Sequence, residues 1–189
     1  MNSRIIILSG PSGVGKDTVL DRWIAQNPAI QRVIAYTTRQ PREGEVNGVD
    51  YNFTDRETFQ RMAENHEFLE FKMVYGNGYA TPISGLQKIL DSGHHAVLKI
   101  DVQGALEAME KRPEALTIFL HPPTFDELER RIRSRGTETP EALTRRLDEA
   151  RAELAISDRY KYQVVNDTID ETLARLEEIL ATDKAMIQR

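Results

Sequence analysis

Lys16 closes a glycine-rich run, Gly10-Pro11-Ser12-Gly13-Val14-Gly15, and is followed by Asp17 and Thr18. The spacing G-x-x-x-x-G-K describes a turn whose backbone N–H groups surround a phosphate while the lysine reaches the outer phosphates of a nucleotide. An apolar run, Ile5-Ile6-Ile7-Leu8, precedes the turn and a helical pattern follows it. Strand, turn and helix in that order form a phosphate cradle. A lysine at a helix start opposes the positive end of the helix dipole. Nucleotide binding accounts for it better than a structural glycine turn does. Asp17 departs from the pattern, which ends in Ser or Thr. A carboxylate there is a hard oxygen donor for Mg²⁺, and it is also a favourable charge in a first helical turn. Both readings stand, with Thr18 as a less well directed source of a hydroxyl.

Two arginines three apart with a proline between them, Arg39 and Arg42 around Pro41, do not suit an interior strand. Their alternatives are a solvated loop or a guanidinium clamp on a phosphate, closed by a tyrosine hydroxyl. Glu70 lies among Phe68, Leu69 and Phe71, which encloses its carboxylate. Arg130 to Arg146 is dense in arginine, and acidic neighbours make surface ion pairs the plain reading for Arg130, Arg133 and Arg145. His94 and His95 have no spaced metal-ligand partners and read as a loop feature.

These groups need elements to position them. Short apolar runs predict strands at Arg4–Ser9, Val33–Thr37, Ala96–Ile100, Thr117–Leu120 and Gln163–Val165. Helical patterns fall at Lys16–Gln26, Ile83–Ser92, Ala105–Lys111, Phe125–Arg135, Pro140–Ile156 and Ile169–Ala185. The alternation predicts an α/β fold with a five-stranded parallel sheet and flanking helices. Two stretches interrupt it. Residues 38–82 read as a small mixed α+β lobe, with strands near Tyr51–Phe53 and Glu70–Val74 and a helix near Arg56–Asn65. Residues 126–156 read as a helical lid, so that 1–37 and 83–189 form the core. Movable inserts suit an enzyme that excludes water from a phosphoryl group in transit.

The chain has 189 residues, 40% hydrophobic and 29% charged, with a net charge of −5 and no cysteine. That suits one core with small appended lobes. It argues against a nucleic-acid-coating role and excludes disulfides and thiolate metal sites. No apolar run approaches the ~20 residues of a membrane span, and the first strand follows at once after Met1-Asn2-Ser3, without a signal sequence. A cytoplasmic protein, monomeric or a small homo-oligomer, is expected.

The stretch from Thr37 to Phe53 resembles the nucleoside-monophosphate lobe of the guanylate kinases, whose pattern is T-T-R-x-P-R-x-G-E-x-x-G-x-D-Y-x-F. The resemblance continues through Phe68-Leu69-Glu70, Gly76-Asn77-Gly78-Tyr79-Ala80-Thr81, Ile100-Asp101-Val102-Gln103-Gly104, Ile118-Phe119-Leu120-His121-Pro122-Pro123, the lid around Arg131, Arg135-Gly136-Thr137-Glu138-Thr139 and Arg145-Arg146-Leu147, and Val165-Asn166-Asp167. It implies a P-loop nucleoside monophosphate kinase that transfers a phosphoryl group from ATP to GMP with Mg²⁺. By that resemblance Arg39, Arg42, Tyr51 and Tyr79 hold the GMP phosphate. Glu70 accepts from the guanine ring N–H and amino group, with Thr81 beside it. Gly10, Ser12, Gly13, Val14, Gly15, Lys16, Asp17 and Thr18 hold ATP, Asn166 meets the adenine, and Arg131 lies on the donor side. Lys16, Arg39, Arg135 and Arg146 act on the phosphoryl in transit. Asp101 organises Mg²⁺ through water, touches the guanine amino group, or caps the helix that follows it.

Four positions depart from the family pattern. Asp17 stands for Ser or Thr, Ala35 for a serine that meets the guanine oxygen, Lys99 for the first aspartate of D-I-D, and Ala80 for a glycine, beside an atypical Gly78. Lys99 is expected to pair with Asp101 or Asp17. The G-K-D loop also resembles the ribose bisphosphate phosphokinases, which lack the acceptor-lobe pattern seen here. A non-catalytic guanylate kinase-like module is the other alternative. Such modules have damaged phosphate loops, and this one is whole.

Overall fold

The computed structural model describes residues 3–74, 76–134 and 139–183. The elements run β1 (Ile5–Ser9), α1 (Lys16–Gln26), β2 (Ile30–Arg32), β3 (Tyr36–Thr37), β4 (Asn52–Phe53), α2 (Arg56–Glu64), β5 (Phe68–Val74), β6 (Asn77–Pro82), α3 (Ile83–Asp91), β7 (His95–Lys99), α4 (Val102–Lys111), β8 (Leu116–His121), α5 (Phe125–Arg133), α6 (Pro140–Leu154), a 3₁₀ turn (Ser157–Arg159), β9 (Tyr162–Val165) and α7 (Ile169–Thr182). A five-stranded sheet has the order β2-β7-β1-β8-β9, and every pairing in it is parallel. This is the α/β architecture expected from the alternation.

The central strand β1 is buried along its whole length because both of its faces are covered. Successive side chains point to opposite faces. Ile6 and Leu8 pack with Val19, Leu20, Trp23, Leu128, Leu176 and Ile179, from α1, α5 and α7. Ile5 and Ile7 pack with Leu86, Ile89, Val102 and Ala105, from α3 and α4. At the far end from the phosphate loop, Arg4 donates to the Asp183 carboxylate at 2.9 Å and fastens the end of α7 to β1.

A second sheet, β4-β3-β6-β5, is mixed: β3 and β4 run parallel, while β3–β6 and β5–β6 are antiparallel. Phe59, Phe68 and Ala80 form its own small core. The strand expected at Val33–Thr37 is not a strand of the parallel sheet: that strand is Ile30–Arg32, just before it, and Tyr36–Thr37 joins the second sheet. The apolar residues between them carry the chain across, with the Val33 N–H still bonded to Val97 O at 3.0 Å. The helix expected from Ala105 begins at Val102, because Asp101 caps it through the Gly104 N–H at 3.0 Å. The Gly-rich run around Gly78, which sequence reading leaves without structure, is strand β6.

Candidate active site

The loop between β1 and α1 leaves the carboxyl edge of the parallel sheet, where ligands of such sheets gather. Gly10 and Gly15 have φ of 144° and 100°, conformations that side chains rarely adopt. A Cβ on Gly10 would lie 2.5 Å from Leu120 O, and one on Gly15 would lie 2.7 Å from Asn166 Nδ2. The first turn of α1 has no side-chain cap. Its N–H groups and the positive end of the helix dipole are thus presented to an anion.

Lys16 donates to the loop's own carbonyls, Gly10 O at 2.5 Å and Pro11 O at 3.1 Å. Burial pulls its pKa down to about 8, against the opposing pull of Glu153 and Asp17. Two other elements brace the loop. Asn166, buried just beyond β9, donates to Val14 O at 2.7 Å and is itself oriented by the Thr172 hydroxyl at 3.0 Å. Arg146 on α6 donates to Ser12 Oγ at 2.9 Å. Arg131 on α5 bonds Glu127 at 2.8 Å and lies 3.4 Å from Val14 O. The two helices expected as a lid therefore touch the loop through arginines. Arg135 lies outside the described residues.

The second sheet supplies the other wall. Glu70 and Lys72 alternate on one face of β5, opposite Thr81 and Tyr79 of β6. Glu70 is only 3% exposed. Thr81 Oγ1 donates to its Oε1 at 2.6 Å. Burial raises the Glu70 pKa, partly offset by Thr81 and the Lys72 charge. Its other oxygen, Oε2, lies 2.6 Å from where a Cβ on Gly104 would stand, so α4 approaches Glu70 closely only because that position is glycine.

Arg39 makes a two-pronged pair with Glu45, NH1 to Oε2 at 2.9 Å and NH2 to Oε1 at 2.8 Å. The Arg42 backbone N–H donates to the same carboxylate at 2.7 Å. The Arg39 guanidinium lies 5.5 Å from the Tyr51 ring centre. Tyr51 meets Tyr79 edge-on at 6.0 Å. Arg39, Tyr51 and Tyr79 are thus one group, with Arg42 on the exposed rim. Thr18 is exposed on the first turn of α1.

Two ion pairs lie between the walls. Lys99, at the end of β7, pairs with Asp17. Lys72 pairs with Asp101. Burial disfavours the Asp17 charge, but Lys99, with Arg32 and Lys16, outweighs it and holds the pKa below the usual carboxylate value. For Lys72, burial lowers the pKa against the opposing charges of Glu70 and Glu153. Among the described residues there is no cluster of three acidic or imidazole groups to cage a metal. A nucleotide-borne Mg²⁺ needs only one or two carboxylates besides the phosphates. Asp17 fits that requirement, with its side chain 69% exposed beside Lys16. Asp101 has Oδ1 on the Gly104 N–H and Oδ2 on Lys72, so both its oxygens are engaged.

Sequence reading missed Glu45, Lys72, Gly104 and Glu153. Lys72 had a signal, because it sits two residues from Glu70 on a strand and so shares its face. Glu45 had one too, as the fixed glutamate of the acceptor-lobe pattern, but its pairing with Arg39 depends on how the loop folds through Gly44 and Gly48, with φ of 85° and 79°.

The sequence model described as guanylate kinase matches residues 2–183. A guanylate kinase of Clostridium perfringens (strain 13 / Type A) is 42% identical over 185 residues, 98% of this chain and 86% of the relative. One from Alkalilimnicola ehrlichii is 39% identical over 189 residues, 100% of this chain and 93% of the relative. The crystal structure of guanylate kinase from Anaplasma phagocytophilum superposes with a TM-score of 0.79 at 34% identity, covering 98% of this chain and 88% of that one. With a whole phosphate loop, a buried carboxylate opposite it and this likeness over nearly its full length, the chain belongs to the guanylate kinase family.

Proposed function

We propose that this chain phosphorylates GMP with ATP, giving GDP and ADP, by direct in-line transfer, and that the two walls of the cleft divide the work. An oxygen of the GMP phosphate attacks the γ-phosphorus of ATP. The bond from that phosphorus to the bridging oxygen breaks, and its electron pair leaves with ADP. Such a transfer needs positioning and charge neutralisation rather than a covalent enzyme intermediate.

On the donor side the amides from Gly10 to Gly15 and the start of α1, with Asp17 and Thr18, surround the ATP phosphates. Lys16 exchanges its loop carbonyls for phosphate oxygens. Asn166 meets the adenine as well as bracing Val14. Arg146, Arg131 and Arg135 bring lid charge onto the transferring group. Asp17 is the protein ligand for Mg²⁺, which supplies charge neutralisation on the nucleotide. Asp101 caps α4 and faces the acceptor.

On the acceptor side Arg39, Arg42, Tyr51 and Tyr79 hold the GMP phosphate, and Glu70 with Thr81 reads the base. Guanine presents two adjacent donors, a ring N–H and an amino group, and one carboxylate pairs with both. Adenine has no such pair and leaves the buried carboxylate with Thr81 but without its base partners, at a cost of ~1–3 kcal/mol or more. The buried Glu70, on the same sheet face as Tyr79, is the observation that carries this reading. Among the described residues no helix is long and apolar enough to cross a membrane. We assign the enzyme to the cytoplasm and to purine nucleotide supply, as a monomer or small homo-oligomer.

The test is coupled ADP release with GMP, dGMP, AMP, UMP and ribose bisphosphate as acceptors. Turnover with GMP well above the others is expected. Turnover with ribose bisphosphate but not GMP would overturn the proposal.

A further inference from the structure

We propose that Lys99 is a further phosphate-handling residue of this cleft: its ammonium rests on Asp17 beside the donor loop and moves onto the phosphate oxygens where donor and acceptor meet. The proposal rests on the GMP kinase reading above.

Lys99 is the last residue of β7, at the ligand edge of the parallel sheet. Its side chain is only 16% exposed, so a normally solvated group is committed to the cleft. It touches both walls. Its partner Asp17 directly follows Lys16, and its Nζ lies 5.9 Å from the centre of the Tyr51 ring. Tyr51 in turn abuts Tyr79 and Arg39. The ammonium therefore stands between the lysine that faces donor phosphates and the group that faces the acceptor phosphate.

In-line transfer brings those anions to bonding distance at that junction. Their mutual repulsion is strongest there, and a fixed cation offsets it for both nucleotides at once. The resting partner is well suited to release it: the Asp17 side chain is 69% exposed, so water can take the place of the ammonium on its carboxylate. Exchange of one carboxylate for more highly charged phosphates is downhill. It also frees Asp17 for the Mg²⁺ that the nucleotide carries. Lys99 keeps its proton throughout and forms no covalent bond. The competing role is a strap that only ties β7 to α1. A strap stabilises the fold without distinguishing one bound nucleotide from two.

The experiment uses the full chain with Lys99→Met and Lys99→Arg. Wild-type turnover of GMP serves as the control for the underlying reading, and its absence would overturn that reading rather than the role of Lys99. With turnover present, Lys99→Met is expected to lower kcat ~10–100-fold while KM for ATP and for GMP each stay within ~3-fold. Lys99→Arg should recover part of the loss. Calorimetry then compares GMP alone with a bisubstrate analogue, adenosine and guanosine joined through five phosphates. Lys99→Met should weaken the analogue ~10-fold or more and GMP less than ~2-fold. If Lys99→Met does not fold, Lys99→Gln carries the same expectations. A kcat within ~2-fold of wild type, or equal weakening of the analogue and GMP, would overturn the proposal.

Discussion

Thr81 donates its hydroxyl to Glu70 across the β5–β6 ladder at 2.6 Å, with both side chains almost fully buried. The bond fixes one carboxylate oxygen and favours the charged form against the burial that disfavours it. Thr81→Val keeps the shape and removes the donor. The Glu70 pKa then rises further above its ordinary 4.5, and a protonated Glu70 no longer accepts from both guanine donors. We expect kcat/KM for GMP to fall ~10-fold, and the acid limb of its pH profile to move to higher pH. A profile unchanged in position would argue that Thr81 does not support Glu70.

Gly104 makes a separate test of the same wall. Alanine at this helical position favours the helix by up to ~1 kcal/mol. Its Cβ would stand 2.6 Å from Glu70 Oε2 and 3.2 Å from Glu70 Cδ. Glu70 must shift to make room. We expect Gly104→Ala to raise KM for GMP ~10-fold with little change in KM for ATP or in thermal midpoint. Equal effects on both nucleotides would place Gly104 in the general fold instead.

Lys16 predicts a pH signature on the donor side. With a pKa of about 8, it is mostly protonated at pH 7 and largely neutral by pH 9. Phosphates favour the charged form and so raise that pKa. ATP affinity is therefore expected to fall as pH rises through about 8, and binding near pH 8 to take up a fraction of a proton. Calorimetry in buffers of different ionisation enthalpy measures the uptake directly. A zero uptake at pH 8 would contradict the placement of Lys16 against phosphate.

Arg39 is already committed to Glu45 through both terminal nitrogens. The Glu45 pKa lies near 2, chiefly through that pair, so the pair persists throughout any practical assay range. We read Glu45 as the group that aims Arg39. Glu45→Gln should raise KM for GMP ~3–10-fold with kcat nearly unchanged, since one charge-assisted contact is replaced by a neutral one. Tighter GMP binding in this variant would make Glu45 a competitor of the phosphate rather than its support.

The phosphate loop and the acceptor stretch were legible because their chemistry depends on local spacing. Gly10 to Lys16 and Thr37 to Phe53 are each continuous in sequence. The parallel strands were legible from their apolar runs, which burial on both faces requires. The second strand of the parallel sheet was not: it is Ile30–Arg32 rather than Val33–Thr37, whose end joins the other sheet, and an apolar run does not say which sheet receives it. The alternatives left open for Lys99 resolve in favour of Asp17. Asp101 instead pairs with Lys72, a partner fixed only when β5 is brought against α4. The Oε2 of Glu70 against Gly104 is likewise a contact between distant segments, visible only once they are packed.

The central claim is that Glu70 reads guanine through its two adjacent donors. It is tested most directly by kcat/KM for GMP relative to inosine monophosphate, which keeps the ring N–H and lacks the amino group, in the wild type and in Glu70→Gln. The account predicts a preference for GMP of ~10-fold or more in the wild type, and its collapse towards equality in the variant. A wild-type enzyme that does not discriminate, or a variant that keeps the full preference, would contradict it.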